Sequence, residues 1–238
     1  MAAPLILLPG LLCDGRLWQG VAEALGSPIQ SPDLSQDDTL GAMAERVLAE
    51  APPLFALGGH SMGGYLALEI LRRAPERVEC LALICTKAGA DPEAQRQRRQ
   101  DAIALARSGR FGQVVAAQIG ALFTAESGQD PVLTGLFRAM AEAIGPEGFA
   151  RQQQAIMGRP DSTPMLAGIR CPTLVVGGAL DGMTPPALQQ ELAAAIPGAA
   201  VEIVPEAGHL APLERPGAVA AVLRPWLAGL PPRAPLGG

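Results

Sequence analysis

Histidine is almost missing from this chain of 238 residues, which contains only His60 and His209. Two histidines exclude a histidine-rich metal centre and leave few choices for a general base near neutral pH. Lysine is scarcer still: Lys87 stands alone, and arginine supplies the other basic residues. Aromatic residues make up 3% of the chain, with Tyr65 the one tyrosine. The four cysteines, Cys13, Cys80, Cys85 and Cys171, show no C-x-x-C spacing and imply no disulfide framework, which fits a reducing compartment. Apolar runs stop well short of the ~18 residues that span a bilayer. The first eight residues carry no positive charge, and Pro9-Gly10 follows them, so they make a poor signal peptide. A soluble, cytoplasmic protein is expected. The net charge of −5 argues against nucleic acid or an anionic membrane as partner.

What is present is enough apolar material for a core, 49% of residues against 17% charged. Short apolar runs at 4–8, 29–34, 54–57, 79–85, 173–176 and 201–204 read as six strands. Most are continuous rather than alternating, the pattern of strands covered on both faces. Helical stretches at 16–25, 40–50, 62–73, 186–195 and 218–227 lie between them. Strand–helix alternation of this kind predicts an α/β fold, a mostly parallel sheet with helices on both faces. The spacing breaks once. Residues 88–168 hold helical patterns at 92–108, 112–122, 132–143 and 149–157 and no convincing strand. This segment reads as a helical cap inserted into a core made of 1–87 and 169–238. The Pro- and Gly-rich end, 231–238, reads as a disordered tail. The single basic run, Arg96, Arg98 and Arg99, reads first as a solvated helix face and second as a carboxylate-binding group.

The strongest local signal is Gly59-His60-Ser61-Met62-Gly63, between a strand and a helix. G-x-S-x-G at such a turn lifts the serine hydroxyl above the sheet, and the glycines relieve a bend too tight for a Cβ. Serine is a weak nucleophile and needs a base. His60 is adjacent in the turn and should point elsewhere, as a packed support, which leaves His209, just past the last strand. Asp181, just past the fifth, is the preferred carboxylate to orient it, with Asp91 and Glu206 as competitors. Loops at the carboxyl ends of parallel strands are where such a sheet gathers reactive groups. An oxyanion would need backbone donors, and the amides of Met62 and Leu11 are the natural pair. Asp14 reads chiefly as a helix cap, with a substrate contact as the lesser alternative.

Leu8-Pro9-Gly10-Leu11-Leu12-Cys13-Asp14 with Trp18, Gly59 to Gly64, Asp181 with Thr184-Pro185-Pro186, and Gly208-His209-Leu210 with Leu213-Glu214-Arg215-Pro216 carry a resemblance. Through them the chain resembles the α/β-hydrolase superfamily, and more narrowly its small capped carboxylesterase-like serine hydrolases. The resemblance implies the order Ser61, Asp181, His209 for the triad, and a lid matching 88–168. Two departures stand out. Pro9-Gly10 replaces the family's usual His-Gly, while the backbone donor that follows is kept. The chain also begins at what would be the family's third strand, so the two antiparallel N-terminal strands are expected to be absent.

The expected chemistry is hydrolysis of a small or medium apolar ester through an acyl-enzyme. An apolar wall is expected from Leu11, Leu12, Trp18, Met62, Met183 and Leu210. The cap would offer Phe111, Leu122, Phe123, Phe137, Met140 and Met157, most of them needed to pack the cap itself. Lactone or thioester hydrolysis, carbon–carbon cleavage or a lyase step with cap arginines on a substrate carboxylate, and a non-catalytic ligand-binding protein remain as alternatives. No cofactor or metal motif is present, and the expected partner is a small molecule.

Overall fold

The computed structural model describes residues 4–229. The expected tail at 231–238 lies outside the described residues. Five strands, β1 (Leu5–Leu8), β2 (Phe55–His60), β3 (Val78–Ile84), β4 (Thr173–Gly178) and β5 (Ala200–Val204), form one parallel sheet in that spatial order. The sixth expected strand, 29–34, contributes a single parallel bridge between Gln30 and Ile6. Gln30 donates to Leu5 O at 2.8 Å and accepts from Leu7 N at 2.9 Å. The next donor along that ladder would belong to residue 32, and Pro32 has no N–H to give.

The helices are α1 (Gln19–Leu25), α2 (Leu40–Glu50), α3 (Met62–Arg73), α4 (Glu93–Leu105), α5 (Phe111–Leu122), α6 (Pro131–Met157), α7 (Pro186–Ala194), α8 (Ala211–Glu214) and α9 (Pro216–Ala228). The strand pleat divides the core in two. Leu5, Leu7, Ala56, Cys80, Ala82 and Leu174 pack with Val21 of α1 and Val219 and Leu223 of α9. Ile6, Leu8, Leu57, Leu81, Leu83 and Val175 pack with Met43 of α2, Leu66 and Ile70 of α3 and Leu192 of α7. Each such side chain contributes roughly 1.5–3 kcal/mol by leaving water, so both faces of the sheet must be covered. β5 is the exception: Ala200, Val201 and Glu202 are exposed on an edge strand that carries a charge.

Between β3 and β4 the chain runs through α4, α5 and α6. The two helices expected at 132–143 and 149–157 are one element bent at Gly145 (φ 68°), where Pro146 withdraws a backbone donor. Phe137, Met140 and Phe149 are wholly buried inside this helical segment. Phe149 stands 5.9 Å from Phe111, and Phe137 5.9 Å from Phe123, between ring centres. No helix among the described residues is long and apolar enough to cross a membrane.

Candidate active site

The site is built where the parallel strands end. Ser61 follows β2 directly and adopts φ 53°, ψ −112°. Such a backbone costs of order 1–3 kcal/mol for a non-glycine residue and persists only where the surroundings enforce it. Here they do. Ser61 N donates to Ile84 O at 2.9 Å, and Thr86 Oγ1 donates to Ser61 O at 2.7 Å. A Cβ on Gly59 would strike the backbone of Gly63, and one on Gly63 would strike the Leu8 carbonyl. The other non-glycine residues with positive φ, Leu12, Cys85 and Glu206, also fall just past strand ends. Strain is thus gathered along the carboxyl edge of the sheet.

Three predicted residues meet there. His209 Nδ1 lies 2.8 Å from Asp181 Oδ2, and His209 Nε2 lies 2.9 Å from Ser61 Oγ. A carboxylate only accepts, so Nδ1 carries the proton and Nε2 is left to accept from the serine hydroxyl. Asp181 also accepts from Met183 N at 2.8 Å, Thr184 N at 2.9 Å and Thr184 Oγ1 at 2.6 Å. Burial pushes this carboxyl up. The hydrogen bond and charge of His209, followed by the Thr184 donors, outweigh burial and hold it well below the usual carboxylate range. The arrangement can draw a proton from Ser61 to His209 while a fixed negative charge stabilises the imidazolium that forms.

The loops carrying Asp181 and His209 are tied together. Ala179 N donates to Val204 O at 2.9 Å and Leu180 N to Ala207 O at 2.8 Å. Buried Glu214 accepts from Gly208 N at 3.1 Å and Thr124 N at 3.2 Å, and His209 N donates to Leu122 O at 3.0 Å. His60 supports the same loop from beneath. Its Nε2 lies 2.7 Å from the His209 carbonyl and must donate, which leaves Nδ1 as an unpartnered acceptor against Gly10. Burial, then the neighbouring His209, lowers its pKa to about 3. The backbone N–H groups of Leu11 and Met62, the expected oxyanion donors, have no acceptor among the described residues. Met62 N opens α3, where the helix dipole adds positive potential. Gln152 Oε1 accepts from Leu12 N at 3.0 Å and so holds the Leu11 loop.

A sequence profile of the Alpha/beta hydrolase family matches residues 5–222. The chain belongs to that family. This hydrolase superposes on a thermophilic esterase from Thermogutta terrifontis with a TM-score of 0.87 at 29% identity, covering 96% of this chain and 90% of that one. It superposes on the enol-lactonase of Burkholderia xenovorans LB400 with a TM-score of 0.83 at 26% identity, covering 96% and 92%. In sequence it is 25% identical over 220 residues to a pimeloyl-[acyl-carrier protein] methyl ester esterase of Chromobacterium violaceum, 86% of each chain.

The hydrolase has a cavity of about 50 Å³ against Ser61 and His209. Of the residues named for its wall, Leu11, Met183, Leu210 and Leu122 line it, and Ile156 joins them from the helical segment. Leu12, Trp18 and Met62 do not. Leu12, at φ 60°, turns its side chain into the core, and Trp18 is 1% exposed beneath the loop. Phe111, Phe123, Phe137, Met140 and Met157 are also absent from the wall. The wall is mixed rather than wholly apolar: Lys87, Gln95, Arg99 and Gln118 stand in it beside the leucines, Ile156 and Met183. The competitors for the carboxylate role lie elsewhere, with Asp91 held by cations and Glu206 exposed near Arg215. Asp14 caps the turn at Gly15–Trp18 through Arg16 N at 3.0 Å. Among the described residues no group of three or more His, Cys, Asp or Glu side chains converges as a metal donor set.

Proposed function

We propose that this chain is a serine hydrolase of small carboxylic esters that works through an acyl-enzyme at Ser61. The observation that carries the reading is the unbroken relay from Ser61 Oγ to His209 to Asp181, at 2.9 Å and 2.8 Å. Ser61 Oγ attacks the acyl carbon while its proton passes to His209 Nε2. The Leu11 and Met62 amides receive the oxyanion. The tetrahedral adduct collapses, the carbon–alkoxide bond breaks, and the alcohol leaves with the proton from His209. Water then attacks the acyl-enzyme and gives a proton to His209; the bond from the acyl carbon to Ser61 Oγ breaks, the acid leaves, and His209 returns the proton to Ser61 Oγ. His60 and Glu214 keep the His209 loop in register for both steps.

The helices α4 to α6 act as a lid in this reading, because they supply Gln95, Arg99, Gln118, Leu122 and Ile156 to the cavity wall. A volume of about 50 Å³ is far below the ~300 Å³ of pockets for drug-sized ligands. Short acyl groups therefore fit best, and larger esters require the lid to open. The relatives named as esterases support the ester reading. Likeness to an enol-lactonase supports lactones as the second reading, in which the leaving oxygen stays tethered to the acyl group. A panel of short aryl esters and lactones tests both: wild type should turn over at least one class, and Ser61→Ala should lose about 10⁶-fold in kcat. Undiminished turnover by Ser61→Ala would overturn the reading.

A further inference from the structure

The wall of the Ser61 cavity holds more positive charge than the protein itself neutralises. Lys87 and Arg99 both line it. The carboxylate that answers them, Asp91, has a fully buried side chain and is shared three ways. Lys87 Nζ donates to it at 3.3 Å, Arg99 Nε at 2.6 Å and Arg159 Nη2 at 2.7 Å. Burial raises the pKa of Asp91, but the hydrogen bond from Arg159 and the charge of Arg99 outweigh burial and hold it well below the usual range. Asp91 therefore contributes one full negative charge against the three cations that donate to it, and Asp161 adds a second near Arg159, which leaves positive charge in excess around Lys87 and Arg99.

Counting donors shows where the excess sits. Arg159 is turned into the structure: its Nη1 donates to Ile156 O, its Nη2 to Gly89 O and Asp91, its guanidinium lies 4.2 Å over the Tyr65 ring, and its buried Nε has no acceptor among the described residues. Arg99 gives Nη1 to Gln153 Oε1 at 2.7 Å, and its Nη2 has no acceptor among the described residues. Lys87 reaches Asp91 and Gln95 Oε1 at 3.3 and 3.2 Å, both long for a charged donor, and its third N–H has no acceptor. Cations withdrawn from water are costly unless an anion meets them. Both residues line the wall they share with Ser61.

We propose that the substrate carries a carboxylate besides its scissile ester, and that Lys87 and Arg99 bind that carboxylate. The proposal rests on the reading of Ser61 as the nucleophile. The small cavity keeps the carboxylate within a few carbons of the acyl carbon, so the substrate class is the half-ester or carboxylated lactone of a short dicarboxylic acid.

The test compares monoethyl succinate with ethyl levulinate, a neutral ester of nearly the same shape, followed by ethanol release from the full chain. Wild type should prefer the half-ester by about tenfold or more in kcat/KM, the scale of one charge-assisted contact. The preference should shrink as salt rises. Lys87→Met should lose most of it through KM, and Lys87→Arg should keep it. Free succinate should inhibit wild-type cleavage of ethyl levulinate competitively, a measurement that needs no variant. Equal cleavage of both esters by wild type, an unchanged preference in folded Lys87→Met, or failure of succinate to inhibit would overturn the carboxylate proposal alone. Cleavage of both esters that survives in Ser61→Ala would overturn the hydrolase reading and this proposal with it.

Discussion

Acid should weaken this fold well before its carboxylates titrate, and His60 is the reason. The ring is 1% exposed, its Nε2–H is fixed on the His209 carbonyl, and its Nδ1 faces Gly10 with no donor or acceptor to meet a second proton. Its pKa falls from an ordinary 6.5 to about 3, first through burial and then through His209. In the unfolded chain the ring is free to protonate near 6.5, so below that pH the unfolded state binds a proton that the folded state refuses. Stability from this group is therefore complete above the unfolded value and drains as pH falls toward the folded one. Each pH unit below the unfolded pKa costs about 1.4 kcal/mol. Between pH 7.5 and pH 5 the loss comes to about 2 kcal/mol, and it reaches about 4 kcal/mol at pH 3. Urea unfolding at pH 7.5, 6 and 5 measures it. His60→Gln retains a donor for the His209 carbonyl but cannot titrate, so its stability should change by less than about 0.5 kcal/mol over that range. Equal slopes in wild type and His60→Gln would refute the reasoning.

Three further outcomes follow from the packing. Leu12→Ala should cost about 2–5 kcal/mol of stability with little effect on KM, since its side chain fills core rather than substrate space; thermal unfolding beside ester kinetics checks both halves. Glu214→Leu strands the Gly208 and Thr124 amides and should cost roughly 2–5 kcal/mol, with faster hydrogen exchange at Gly208 and His209 as the local signature. Gly63→Ala drives a methyl into the Leu8 carbonyl and should abolish folding or shift the serine turn, read out as loss of both the cooperative melt and ester turnover.

The parts of the molecule legible in the sequence were those set by local geometry. The turn around Ser61 declares itself because only glycine fits at 59 and 63, and the scarcity of histidine leaves His209 almost without competitors. The parallel strands declare themselves because chains covered on both faces need continuous apolar runs. The segment at 29–34, Ile-Gln-Ser-Pro-Asp-Leu, has no such run, and the missing N–H at Pro32 stops its ladder after one bridge. Side-chain direction in loops was not legible. Leu12 and Trp18 sit in the right loop, but the positive φ at residue 12 sends its side chain inward. The charged wall was only partly legible: the run Arg96, Arg98, Arg99 carried carboxylate binding as its second reading, but nothing in it pointed to Lys87, Asp91 or Arg159. Lys87 and Asp91 come from the exit of β3, Arg99 from α4 and Arg159 from the turn after α6, and they meet only after α6 folds back over α4. A run of arginines on one helix carries no mark of which member faces a cavity.

The central claim is that Ser61 is the nucleophile. Treating the protein with a fluorophosphonate, mapping the adduct by peptide mass spectrometry and measuring residual ester turnover tests it most directly. The geometry predicts one adduct per chain, on Ser61, with turnover lost in proportion to labelling and no adduct in Ser61→Ala. Full turnover in a completely labelled sample, or an adduct placed on another residue, would contradict it.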